Sequence, residues 1–225
     1  MADLARAGAP EGSWLRADTQ SGGRGRHGRT WLSHAGNLYA STLVLLRPGD
    51  PPPATLTLVA AVALDQLVAA YLGTERLRLK WPNDVLVWDA EGGWAKLSGI
   101  LLEAAGEAVV VGFGVNLAHH PQDIDRPATS LAAAGAAPPD PGLFARDLAA
   151  AFADWLAHWR GEGLAVVRRR WLERAHPIGT PLATTGPDGA RIEGLFDGLD
   201  ESGALRLRLA DGAVHVMHAG DFDLL

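Results

Sequence analysis

Residues 20–31 read QSGGRGRHGRTW, and the fold turns on how this stretch is read. Gly23-x-Gly25-x-x-Gly28 fits the G-x-G-x-x-G pattern of a dinucleotide-binding turn, with Arg24 and Arg26 at variable positions. Such a turn needs a strand before the glycines and a helix opening within them. It also needs an acid ~20 residues later for a ribose hydroxyl. SWLRAD (13–18) suits the strand, but TWLSHAGNLYASTLVLL (30–46) runs into a second strand where the helix should be. Asp50 lies in a Pro-rich turn, PGDPPP (48–53). The better reading is a mobile loop whose glycines let it close over a ligand while Arg24, Arg26 and Arg29 meet an anion. Guanidinium groups grip phosphate and carboxylate bidentately, and exposed backbone N–H groups favour the same charge. The plainer alternative is a solvated basic turn.

Around this loop the pattern predicts an α+β fold. A helix end at 2–8 stops at Pro10 and Gly12, and NLYASTLVLL (37–46) is a strand. Leu56, Val59, Ala60, Ala63, Leu67 and Ala70 recur at helical spacing over 54–71. RLRLK (76–80) and VLVW (85–88) are strands meeting at a Pro82-Asn83-Asp84 turn. Residues 94–105 and 107–117 form a hairpin with Gly106-Glu107 at its tip. A helix over 141–160 has Asp140 as N-cap, Pro141 in its first turn, and a core stripe of Phe144, Leu148, Phe152, Trp155 and Trp159. A shorter helix covers 163–174. Beyond His176-Pro177 only short strands and turns remain, with Leu205, Leu207 and Leu209 alternating with Arg206 and Arg208 and a hairpin turn at Asp211-Gly212. The division expected is one large domain over 1–175 and a small β-barrel over 176–225.

Composition narrows the function classes. A chain of 225 residues, 48% hydrophobic and 20% charged, has a sizeable core and is not disordered. A net charge of -6 disfavours nonspecific binding to nucleic acid or anionic lipid. The chain has no cysteine, which removes disulfides, thiolate metal sites and thiol nucleophiles and fits a cytoplasmic protein. The longest apolar stretch, LTLVAAVAL (56–64), is too short to span a membrane and is followed by Asp65-Gln66. Arg168-Arg169-Arg170 lies on a helix beside Leu164, Val167 and Trp171 and reads as a solvated face. His119-His120 point apart on a strand, and His215 and His218 face opposite sides of another, so no histidine metal site is expected.

Of the 20 basic residues only Lys80 and Lys96 are lysines. In a chain that uses arginine elsewhere, they mark places where a compact ammonium is needed, or they are leftovers. LKWPNDVLV (79–87) puts Lys80 and Asp84 about a tight turn, KLSGILLE (96–103) starts a strand at Lys96, and VVVGFGVNL (109–117) ends one at Asn116. A triphosphate with Mg²⁺ needs this kit: cations for phosphates, a carboxylate for the metal, an amide for a base edge. Taken singly, Asp84 is a turn cap, Asn116 a backbone partner and Lys96 an edge charge.

GGRGRHGRTW, KWPNDV, KLSGILLE and GFGVNL, in this order, closely resemble the biotin protein ligases, monofunctional type, and the likeness runs through essentially the whole chain. The resemblance implies a mixed-sheet catalytic domain of the biotin/lipoate ligase type and a C-terminal SH3-like barrel. It implies an enzyme that couples biotin to ATP with Mg²⁺, keeps biotinyl-5′-AMP, and passes biotin to a lysine of a biotin carboxyl carrier protein domain. By motif position it implies that Gln20, Gly23, Arg24, Gly25 and Arg26 contact biotin and the adenylate phosphate, and that Trp31 covers the intermediate. It places Lys96 at the biotin carboxylate and α-phosphate, Lys80, Asn83 and Asn116 at ATP, and Asp84 at the metal; Lys96, Arg26 and Asp84 are the catalytic candidates. No helix-turn-helix precedes the ligase segment, so DNA and membrane are not expected partners, while a homodimer is compatible with the family. The family's Ser-Thr-Asn strand is not found here; it lies upstream of Met1 or has been lost. Competing expectations are an inactive or binding-only ligase fold and a lipoate or octanoyl transferase of the same superfamily.

Overall fold

The computed structural model describes residues 1–89, 92–122, 124, 126–186 and 189–225. Helix α1 (Ala2–Arg6) and strand β1 (Trp14–Ala17) lead into the glycine–arginine loop, then β2 (Leu38–Leu45) and α2 (Leu56–Leu72). Four strands follow: β3 (Leu77–Lys80), β4 (Asp84–Trp88), β5 (Trp94–Ala105) and β6 (Ala108–Val115). Helices α3 (Pro141–Gly161) and α4 (Leu164–Arg174) close the larger part. The sheet order is β1-β2-β6-β5-β4-β3.

Local chemistry fixes the ends of these elements. Gly106, at φ 67°, supplies the left-handed residue that the two-residue β5–β6 turn requires. Asp140 caps α3 by accepting the Gly142 and Leu143 N–H groups at 2.8 and 2.9 Å. Phe144, Leu148, Phe152 and Trp159 are buried on α3, whereas Trp155 is only half-buried and donates its indole N–H to Gln66 Oε1 at 2.9 Å. Helix α2 is apolar on every side because it packs against β3–β6 and against α3 and α4. With its lead-in turn it is a 20-residue segment of mean hydropathy 1.7, long and apolar enough to cross a membrane, but 67% of it is buried inside the fold. It is the central core helix.

Asp65 breaks that apolar surface. It is fully buried and accepts from Arg174 Nε at 2.9 Å, while Arg174 Nη2 donates to the Thr74 carbonyl at 2.6 Å. Burial pushes the Asp65 carboxyl above its ordinary range, against the pull of Arg174. The pair ties α4 to α2 and so sets where the chain leaves for its second part.

That part is a five-stranded antiparallel sheet of order β10-β9-β8-β7-β11, from β7 (Pro181–Thr185), β8 (Arg191–Leu199), β9 (Leu205–Arg208), β10 (Val214–Met217) and β11 (Phe222–Leu224). Among the described residues no ladder joins β10 to β11. Strand β11 was not foreseen, because three residues are too few to show a period. Where a mixed large sheet was expected, every neighbouring strand pair is antiparallel. Among the described residues, parallel pairing is confined to isolated bridges at Leu79–Ala175 and Lys96–Ala128. The short β3–β4 and β5–β6 connections dictate this for their own two pairs, since a hairpin can only join antiparallel strands. His119 and His120 lie beyond the end of β6, in irregular chain rather than on a strand.

Arg174→Ala should cost about 3–5 kcal/mol, because it leaves a buried carboxylate uncompensated. Urea unfolding checks this; a loss below about 1 kcal/mol, the scale of an exposed pair, would show that Asp65 is not charged in the folded protein.

Candidate active site

A cleft of about 770 Å³ opens over β5, β6 and β2, within the roughly 300–1,000 Å³ typical of small-molecule sites. Gly99 on β5 is paired with Gly114 on β6, and together they make a flat place in its floor. Trp31 lies on that place: a Cβ on Gly114 would come within 2.6 Å of Trp31 Cε2, and one on Gly99 within 3.0 Å of Cζ3. The two glycines are there so that an indole can lie against the strands.

Lys96 reaches the same face through a register shift. On a regular strand Lys96 and Gly99, three apart, would face opposite sides. Leu86 pairs with Lys96 and Val85 with Ser98, so Leu97 is the extra residue of a β-bulge. The Lys96 side chain is thereby turned into the cleft, with Nζ 3.3 Å from where a Gly99 Cβ would stand. Nζ donates to Asp84 Oδ1 at 2.6 Å and stands 5.6 Å from the centre of the Trp31 ring.

The glycine–arginine loop forms one wall and is tightly folded. Gly25 N–H donates to the Arg29 carbonyl at 2.7 Å, Trp31 N–H to the Gly23 carbonyl at 3.0 Å, and Arg24 bridges Thr30. Gly23 is buried, and a Cβ there would stand 2.3 Å from the Trp31 carbonyl oxygen. A close backbone approach requires this glycine. Gln20 is exposed at the cleft edge, its Oε1 accepting from Ser33 Oγ at 3.1 Å.

Each loop arginine has a carboxylate or an amide to hold it. Arg24 pairs with Glu103 at 2.9 Å. Arg26 donates to Asn83 Oδ1 at 3.3 Å, and Asn83 Nδ2 donates to the Ile100 carbonyl at 2.7 Å. Arg29 meets Asp221, just ahead of β11, at 2.5 Å, and Arg126 meets the same carboxylate at 3.0 Å. Burial opposes ionisation of Asp221, but the hydrogen bonds from Arg29 and Arg126 outweigh it and hold its pKa below the ordinary value. Among the described lining residues cations outnumber carboxylates, a balance that suits an anion.

Asn116 is buried at the far end, its Nδ2 donating to the Thr129 carbonyl at 3.0 Å, which leaves Oδ1 as the atom offered to a donor such as an adenine amine. The structure therefore brings Gln20, Arg24, Gly25, Arg26, Trp31, Asn83, Asp84, Lys96 and Asn116 to one cleft. Lys80 and Gly23 do not line it. Lys80 is buried with Nζ 5.0 Å from the Phe222 ring centre; burial lowers its pKa against the opposing pull of Asp84 and Asp221. Arg126 and Asp221 were missed, because nothing in their local sequence marks them; Gly99 and Gly114 were visible as letters without a role. Among the described residues no cluster of three His, Asp or Glu side chains is placed to hold a metal. A single carboxylate with substrate phosphates is an ordinary Mg²⁺ arrangement, and Asp84 fits that role.

Residues 5–117 match the biotin/lipoate A/B protein ligase family, and residues 183–225 match the biotin protein ligase C-terminal domain. A biotin–[acetyl-CoA-carboxylase] ligase of Paracoccus denitrificans is 44% identical over 87% of this chain and 84% of its own. The chain belongs to the biotin protein ligase family. Among solved structures, the Aquifex aeolicus biotin protein ligase in complex with biotin and ATP superposes with a TM-score of 0.82 at 27% identity, covering 99% of this chain and 93% of that one. The Leishmania major biotin protein ligase in complex with biotinyl-5-AMP gives 0.64 at 26% identity, covering 97% and 94%. The likeness to these ligases extends through both sheets of the chain.

Gly114→Ala should overpack the cleft floor by about 1–3 kcal/mol and push Trp31 off it. Thermal melting checks this, and the double variant with Trp31→Ala should recover the loss. Unchanged stability of the single variant would contradict the stacking.

Proposed function

We propose that this chain is an ATP-dependent biotin ligase. It couples the biotin carboxylate to the α-phosphorus of ATP, breaking the bond to the departing pyrophosphate. It then presents the acyl carbon of biotinyl-5′-AMP to a lysine amine of a biotin carboxyl carrier protein domain, releasing AMP. The observation that carries this reading is Lys96, turned by the Leu97 bulge into a cleft it shares with Arg26, Trp31 and Asn116.

The chemistry follows from charge. A carboxylate attacking a phosphate brings two anions together, and the charge in the transition state lies on the phosphoryl oxygens and the departing pyrophosphate. Preorganised cations in a cleft that excludes water lower that barrier most. Lys96, as a mobile point charge, follows the developing charge, while Arg24 and Arg26 hold the phosphate oxygens. Asp84 orients Lys96 and would hold Mg²⁺ together with the substrate phosphates, where the ion would neutralise charge. Trp31 and the folded loop keep water from the mixed anhydride, and Gln20 and Gly25 face biotin. Asn116 Oδ1 accepts from the adenine amine. Asn83 serves ATP through Arg26, and Lys80, buried beside Asp84 and Asp221, adds positive charge to the phosphate end. We place the division between the catalytic and C-terminal parts at 175/176 and the protein in the cytoplasm.

Lys96→Arg should slow biotinyl-5′-AMP formation by about 10²-fold or more, the scale of losing one preorganised donor, because a planar fork does not fit between Asp84 and Trp31. Single-turnover assays with biotin and Mg-ATP check this, with lipoate and octanoate as competing acids. A near-normal rate would remove the role given to the ammonium; adenylate formed from lipoate or octanoate instead of biotin would replace the proposed substrate.

A further inference from the structure

We propose that Asp221 is a positioning residue that ties the glycine–arginine loop to the C-terminal sheet and holds it closed over the cleft. Its carboxylate accepts from Arg29 Nη2 at 2.5 Å and from Arg126 Nη1 at 3.0 Å, and Arg26 Nη1 stands 3.8 Å away. Arg26 and Arg29 belong to the loop, Arg126 belongs to the chain beyond β6, and Asp221 stands just ahead of β11, so one carboxylate joins three segments far apart in sequence. All four side chains line the cleft.

The carboxylate is itself held in place. Asp221 precedes β11, whose Phe222 is buried and faces Lys80 at 5.0 Å, and the Asp221 carbonyl accepts from Thr184 Oγ1 at 2.7 Å on β7. Asp221 therefore cannot follow the loop outward. Its side chain is 20% exposed while Arg29 and Arg126 are 49% and 44% exposed, so each pair is partly screened, but the arginines converge on one carboxylate. By contrast, Arg24, bridged to Thr30 on the arm of the loop, is 71% exposed, and its pair with Glu103 is more fully screened. The tie at Asp221 is the contact that decides whether the loop stays down. With it in place, Arg26 stays beside Asn83 and the phosphate oxygens; without it, the loop opens and the mixed anhydride meets water.

Part of this rests on the reading of the chain as a biotin ligase, so the test has one arm that does not. Trypsin cleavage after Arg24 and Arg26 is followed by mass spectrometry in the full-length, ligand-free protein. Asp221→Asn should speed cleavage by about tenfold or more, the scale of losing a charge-assisted hydrogen bond, and Asp221→Glu should restore much of the protection. Arg29→Gln attacks the same tie from the loop side and leaves the C-terminal sheet untouched, which covers the case where Asp221→Asn does not fold. The double variant should be no faster than the quicker single one. In the second arm, Asp221→Asn should release biotinyl-5′-AMP faster and raise KM for ATP, with thermal stability little changed. Unaltered cleavage in Asp221→Asn or Arg29→Gln, or effects that simply add, would overturn the tie. No adenylate from the wild-type chain would overturn the ligase reading and leave the cleavage result standing.

Discussion

Crowding cations around one cleft is the constraint that shapes this protein. Lysine and arginine side chains brought together for an anion repel one another before the anion arrives, and the fold meets this by giving nearly every one a partner. Asp84 holds Lys96, Glu103 holds Arg24, Asn83 holds Arg26, and Asp221 holds Arg29 and Arg126. Those partners come from β4, β5, the turn between β3 and β4, and the second sheet. The charge pattern of the site therefore dictates which parts of the fold must touch. The smaller sheet is part of that arrangement: it supplies Asp221 to the loop, Phe222 to Lys80, and the Gly203 carbonyl that accepts from the Trp81 indole at 3.1 Å.

The glycines do three different kinds of work. Gly106 turns a hairpin. Gly99 and Gly114 vacate space so that Trp31 can rest on the sheet. Gly23 lets two backbone segments approach more closely than any side chain permits, which makes the loop a folded object with defined arginine positions. The loop pattern that first suggested a dinucleotide fold is thus explained by close contact and charge, without a helix N-terminus.

Much of this was legible in the sequence because local signals agreed. The Asp140-Pro141 start and aromatic stripe of α3, the Gly106 turn, and the alternation at Leu205 and Leu207 each have a short-range cause. The cleft residues were legible for a different reason: Lys96, Asp84 and Asn116 stand in motifs whose order matches a family. What was hidden depends on tertiary registration. The Leu97 bulge that turns Lys96 inward is invisible to a period of two. Arg126 and Asp221 meet across 95 residues and carry no motif. Lys80 was grouped with the phosphate ligands by its place in the KWPNDV motif; it does not line the cleft, and its Nζ stands 5.0 Å from the Phe222 ring centre.

The most direct measurement is mass spectrometry of a purified biotin carrier domain incubated with this chain, biotin and Mg-ATP. The account predicts a gain of one biotinyl group on one lysine, requiring both ATP and biotin. An unmodified carrier, with the protein folded and ATP present, would contradict it.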